Sequence, residues 1–312
     1  MKNSLAGKIT VILISLLLIG GGICLLSASR PLWSGTVIPE EYRQNGQTGT
    51  IPEKYLITGV MNENGAALAE IVIVLSVDKE NGQLDALYLP GFMYVGEDKV
   101  RYGRLSGAFN WGTDVLTGGG TPSVAECIYS LLCIQTDHYL SFDMKFLPQV
   151  VDLLGGISFT VHEDLHFEDR TLEAGGIEFG SKDVLRYILS DSRENVASVN
   201  ALRAAFSESL LENLLNISSE KRLSLLFRCR NGTDTDLSVR ELIELSEQLS
   251  GIGTQSFEFY IIPGSVCTGY GAENLSLWSV DRSAAAEVIN SVFRKNTNKI
   301  LEEDLIIPEL FF

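Results

Sequence analysis

Residues 137–161, DHYLSFDMKFLPQVVDLLGGISFTV, constrain the fold more than any other stretch of the chain. Phe146, Leu147, Val150, Val151 and Leu154 recur at the spacing of one apolar helical stripe. Pro148 is tolerated in a first turn, where its missing N–H would have no intrahelical partner. Gly155 and Gly156 permit the left-handed backbone that ends a helix. Ile157, Phe159 and Val161 then alternate as one face of a strand. With a tyrosine-bearing strand around Tyr139 in front, the segment reads strand, helix, strand: a layered α/β unit.

The rest of the chain repeats that mixture. Ile71 to Val77 is a continuous apolar run, the mark of a strand buried on both faces. Asn81-Gly82 signals a hairpin, and Leu84 to Leu89 is the returning strand. Thr117 to Pro122 is a glycine-rich connector, after which Ser123 and Glu126 form a capping box for a helix burying Val124, Ile128, Leu131 and Leu132. Leu202, Phe206, Leu210 and Leu214 mark a helix of roughly four turns. Ser238 and Glu241 cap another, with Leu242, Leu245 and Leu249 inside. Phe257 to Ile262 is a strand closed by Pro263-Gly264, and Ala285, Val288, Ile289 and Val292 give a last helix. No composition shift follows residue 55, so residues 55–296 form one α/β domain with helices on both faces of a central sheet. Residues 297–312 are left as a C-terminal tail.

Ahead of that domain, Ile9 to Leu26 is apolar apart from Thr10, Ser15 and glycines 20–22, and the chain stays uncharged from Ile9 to Ser29. That is about the ~20 residues a membrane-spanning helix needs. Lys2 and Lys8 precede it without an acid, so residues 1–8 are expected in the cytoplasm, 9–29 across the membrane, 30–54 as a linker and the bulk outside. A cleaved signal peptide is the rival reading, because Ser27, Ala28 and Ser29 precede Arg30. Ile23 directly before Cys24 does not suit lipoprotein processing. Residues 1–30 hold Lys2, Lys8, Arg30 and no acid, which leaves −19 on residues 31–312 against −16 for the whole chain. Such a surface repels nucleic acid.

Two motifs invite chemistry and fail on context. His162-Glu163-Asp164-Leu165-His166 has the zinc-protease spacing, but that chemistry needs both histidines on one helical face. Here the pair follows a strand and precedes a loop. Gly118 to Gly120 lacks the Gly-Lys-Ser/Thr of a phosphate loop. Cys127 and Cys133 lie six apart on a helix and face apart, while Cys229 and Cys267 are read as free thiols or as a pair.

The wording of residues 137–161 resembles the LytR-CpsA-Psr family of bacterial envelope proteins, whose block reads hYv-vdf-gf-lVD-lGGv-v-V. LITGV at 56–60 and EIVIVLSVD at 70–78 resemble its first two strands. YIIPGSVCTGYG at 260–271, before LSLWSVD, resembles its C-terminal signature. The resemblance implies an α-β-α sandwich around a central mixed sheet, with an apolar pocket for a polyprenyl tail. It implies transfer of a glycopolymer from a polyprenyl pyrophosphate carrier onto peptidoglycan. Such chemistry needs arginine forks and a divalent cation, Mg2+, held by carboxylates.

Matched motif by motif, those groups are largely missing. The first metal carboxylate falls on Met61, after Gly59-Val60, and the second on Glu70. The arginine and aspartate of iPRD fall on Gly91 and Phe92, and the asparagine of kiN-Ay on Ser106. The paired arginines of AL-Y-R-R fall on Leu189 and Asp191, and the next arginine on Asn200. Only Arg203 stays in register, with Asp169 matching an acidic step. Arg203 is thus a candidate substrate contact or else a structural ion pair, for which Asp169 is the expected partner. Asp169 is itself a candidate contact, and Arg193 is a third by a slip of register. Glu70 is the one candidate metal ligand. Three readings follow: an envelope protein binding a polyprenyl-linked lipid, a glycopolymer or an envelope partner at the cytoplasmic membrane with its transferase centre lost; a working Mg2+-dependent transferase with a rearranged site; and a pure interaction module.

Overall fold

The computed structural model describes residues 51–63, 65–96, 103–110, 119–167, 170–189, 196–228, 233–270, 275–295 and 297–308. The expected span 9–29 and most of the linker lie outside them. Among the described residues no helix is long and apolar enough to cross a membrane.

Strands β1 (Glu53–Glu63), β2 (Ala66–Asp78) and β3 (Gln83–Pro90) open the domain. Helix α1 (Thr121–Leu132), strand β4 (His138–Asp143), helix α2 (Leu147–Leu154) and strand β5 (Ile157–Val161) follow. Short strands β6 (Leu165–Phe167), β7 (Arg170–Leu172) and β8 (Gly175–Phe179) lead to helices α3 (Val196–Asn216) and α4 (Ser219–Arg228). Then come β9 (Thr233–Thr235), α5 (Val239–Ser250), β10 (Phe257–Ile261), β11 (Gly264–Tyr270), β12 (Leu275–Val280) and α6 (Arg282–Val288). Among the described residues the main sheet has six strands in the order β10-β3-β2-β1-β4-β9. It is mixed, because β1 with β4 and β3 with β10 are parallel and the other ladders antiparallel.

The apolar run of β2 supplies both cores, as alternation requires. Val72 and Val74 meet Val124, Ile128 and Leu132 of α1 and Ala285 of α6. Ile71, Ile73, Leu75 and Val77 join the core that holds Val151, Phe159, Leu202 and Phe206. The result is a sheet covered on both faces. Segment 137–161 folds as its spacing demands: Gly155 and Gly156 take φ of 87° and 106° after α2, and β5 buries alternate residues. The Ser238–Glu241 capping box is also present, with Glu241 Oε2 accepting the Ser238 N–H at 2.7 Å.

Four expectations need correction. Helix α1 starts at Thr121 with Pro122 in its first turn and no side-chain cap, so Ser123 lies inside it. Helix α3 runs 21 residues, longer than its stripe suggested, because its buried face includes Asn200, Arg203, Ser207 and Ser209. Strand β1 begins at Glu53, inside the stretch assigned to the linker. Residues 297–308 are no detached tail: Ile300, Leu305 and Ile307 are buried in the α1-side core. Asn290 fixes Ile300 through both its backbone groups at 2.7 and 2.9 Å, and Arg282 donates to the Ile307 carbonyl.

One more buried cation is structural. Arg222 of α4 donates to the carbonyls of Leu214, Leu215 and Ile217 at the end of α3 and to Ser246 of α5. A guanidinium at a helix C-terminus satisfies the last carbonyls and favours the helix dipole.

Candidate functional site

Glu70, Gly91, Ser106, Asn200 and Arg203, matched to the family motifs and far apart in sequence, meet where β2, the end of β3 and α3 adjoin, while Asp191 lies outside the described residues. A register shift begins it. Gly59 pairs with Ile71 and Val60 with Ala69, so Glu70 is the extra residue of a β-bulge. A bulge re-aims a side chain. Ala69 belongs to the α1-side core and Ile71 to the α3-side core. Glu70 shares the face of Ile71 and meets α3.

There it meets Arg203. The guanidinium Nη1 stands 2.5 Å from Glu70 Oε2, and Nε donates to the Ile188 carbonyl at 3.0 Å. Arg203 is 0 % exposed and Glu70 4 %. The expected ion pair therefore exists with Glu70 as its acid, while Asp169 and Arg193 lie outside the described residues. A π-turn over Val184–Ile188 presents the accepting carbonyl, a local irregularity often found at functional sites.

One turn earlier on α3, Asn200 Oδ1 accepts from the Gly91 backbone N–H at 3.3 Å and from the Tyr88 hydroxyl at 3.4 Å. Its Nδ2 donates to the Val196 carbonyl at 2.9 Å. The Gly91 carbonyl in turn accepts the Ser106 N–H at 2.7 Å. Burial pushes the Tyr88 hydroxyl well above its ordinary range; the Arg203 charge pulls it partly back and Glu70 adds to the rise. Gly91, Ser106 and Asn200, three positions where the resemblance expects polar ligand contacts, are thus engaged with one another. Phe92, at the place of an aspartate, is buried edge-on against Trp278. Leu189, at the place of an arginine, packs against the α3-side core.

The donor set does not fit magnesium. Met61 lies half-buried on the same core face as Glu70, but a thioether is no ligand for a hard cation that wants several oxygens. Glu70, the other position, is held by Arg203. Among the described residues no group of three His, Cys, Asp or Glu side chains is placed to hold a metal ion.

The distractors resolve simply. Val161 ends β5 and His166 lies in β6, its Nδ1 3.1 Å from Thr171 Oγ1, so the H-E-x-x-H stretch is strand and bend. Gly120 caps α1 and donates to the Phe109 carbonyl. Cys133 and Cys267 carry free thiols. A shallow depression of about 360 Å3 is lined by Asp152, Gly155, Gly156, Glu178, Phe179 and Gly180, at the turn between α2 and β5 and away from Glu70 and Arg203 in sequence.

Sequence reasoning missed the Glu70–Arg203 pairing, although two signals pointed to it. Glu70 adjoins an apolar strand and Arg203 sits in an apolar helical stripe, and buried charges need partners. Nor does the sequence signal the closing role of Asn200, whose place in the motif shows only a lost arginine.

Known proteins share this architecture. A TagV structure from Bacillus subtilis superposes with a TM-score of 0.59 at 18% identity, covering 84% of this chain and 100% of that one. A TagT structure bound to LIIa-WTA superposes with a TM-score of 0.56 at 15% identity, covering 84% and 94%. In sequence, the polyisoprenyl-teichoic acid–peptidoglycan teichoic acid transferase TagU of Bacillus subtilis (strain 168) is 22% identical over 245 residues, 76% of each chain. The profile of the LytR_cpsA_psr family matches residues 39–294. With most of its length matched and the fold shared, the chain belongs to the LytR-CpsA-Psr family.

Proposed function

We propose that this chain is a membrane-anchored, extracytoplasmic member of its family that binds a polyprenyl-(pyro)phosphate-linked glycopolymer and does not transfer it. One observation carries the reading. Gly91 and Asn200, where the family pattern calls for arginines, bond to each other, and the single guanidinium left in register is neutralised by Glu70. Departure of a pyrophosphate develops charge that preorganised cations must meet. Losing one such stabiliser typically costs ~10²–10³ in rate, and here several positions have lost theirs together. The class of ligand is taken from relatives: TagU is named for teichoic acid transfer, and TagT was solved with LIIa-WTA. The anchor rests on the apolar stretch 9–29 and the basic flank before it.

Titration of the detergent-solubilised full chain with a short-chain polyprenyl pyrophosphate tests the reading. Saturable binding, stronger than for the free alcohol, is expected. An absence of binding would select the pure interaction module, which the complete burial of Arg203 favours.

A further inference from the structure

The disagreement between the donor set and a divalent ion has a positive side. We infer that the Arg203 guanidinium is the resident cation of this centre, occupying by charge the role that a metal ion would otherwise fill, and that the centre takes up no divalent ion.

Positions 61 and 70, which match the family's two metal carboxylates, still share one face of the sheet. The bulge between Ala69 and Ile71 turns Glu70 onto the face that carries Met61, one strand away. Without it, strand alternation would send Glu70 to the opposite core. Of the two side chains so presented, one is a thioether. The other has its charge met at 2.5 Å by Arg203. That guanidinium is held at a second point by the Ile188 carbonyl, so it is a fixed part of the centre. A divalent ion approaching Glu70 would face that positive charge at contact range in a water-poor setting, where like charges repel most strongly. Arg203 and a metal ion therefore exclude each other at this carboxylate.

The order of substitutions follows. A carboxylate restored at residue 61 alone leaves Arg203 in place and creates no metal site. Removing the guanidinium as well releases Glu70 to join the new carboxylate. The inference rests on the proposed reading of this cluster as the family's polar centre. Metal occupancy and lipid affinity are separate readouts, so either can fail without the other.

The test uses Mn2+ as probe and reads free Mn2+ by electron paramagnetic resonance in the presence of the full-length chain. The natural chain and Met61→Asp should leave millimolar Mn2+ free. Met61→Asp combined with Arg203→Met should bind one ion per chain, at least tenfold more tightly than either. Uptake of one ion by the natural chain or by Met61→Asp would overturn the inference, as would a double variant that folds by circular dichroism yet binds nothing. Should the double variant not fold, Met61→Asp decides: silence supports the resident cation and binding refutes it.

Discussion

The side-chain oxygen of Asn200 accepts the backbone N–H of Gly91 at 3.3 Å, closing with one neutral contact the ground between two positions where the family pattern places arginines. Tyr88 donates to the same oxygen, so the contact is part of a buried network. Beside it the Glu70–Arg203 pair adds no net charge. The polar centre is thus satisfied from within, and its energetics should be those of a structural core.

Breaking the ion pair is the first expected outcome. Arg203→Met leaves the Glu70 carboxylate buried without its partner and should cost ~3–5 kcal/mol in urea unfolding. Replacing both, Glu70→Leu with Arg203→Met, should recover most of that loss, because no buried charge remains. A single variant costing under ~1 kcal/mol would show that the pair is solvated and the core reading misplaced.

Gly264 lies beneath the indole of Trp278. A Cβ there would stand 2.5 Å from Trp278 Nε1 and collide with the Ser279 carbonyl. Gly264→Ala should therefore cost ~1–3 kcal/mol, the scale of overpacking. It should also shift the tryptophan emission as the indole leaves Phe92. An unchanged melting temperature and spectrum would contradict this packing.

Acid should weaken the fold through particular carboxylates. Burial raises Glu53, but bonds from Lys79 and the Tyr55 hydroxyl outweigh it and leave its pKa below the ordinary 4.5. Bonds to the Ser238 side chain and N–H lower Glu241 likewise. A depressed folded pKa means stability that is present above the unfolded value and lost as pH falls through the folded one. The melting temperature should therefore drop below about pH 4.5. Glu241→Gln should make that drop smaller while also lowering the neutral plateau. An identical acid limb in the variant would remove Glu241 from the account.

Local signals were legible and long-range ones were not. Helix α2 and strand β5 follow from the periodicity of Leu147, Val151, Ile157 and Phe159 and from Gly155, all within one short segment. The capping of α5 by Ser238 and Glu241 is equally local. The bulge at Glu70 depends on the register between β1 and β2, which no single strand encodes. Glu70 and Arg203 stand 133 residues apart, so each looked like an isolated charge in apolar surroundings. The burial of 300–307 is not legible because Ile300, Leu305 and Ile307 are too few to mark an element, and they join the core of α1 and α6 around a single 3-10 turn at Glu302–Asp304. In the polar centre, the substitutions could be read from the motifs; their mutual engagement could not.

The most direct test of the central claim is turnover. The full-length chain, supplied with polyprenyl-pyrophosphate-linked glycopolymer, a peptidoglycan acceptor and millimolar magnesium, should leave the donor intact while a transferase of the family run in parallel consumes it. The account predicts no glycopolymer on the acceptor above the protein-free control. Product formed by the natural chain, and abolished by Arg193→Ala, would contradict it and show that a neighbouring arginine serves a rearranged, working site.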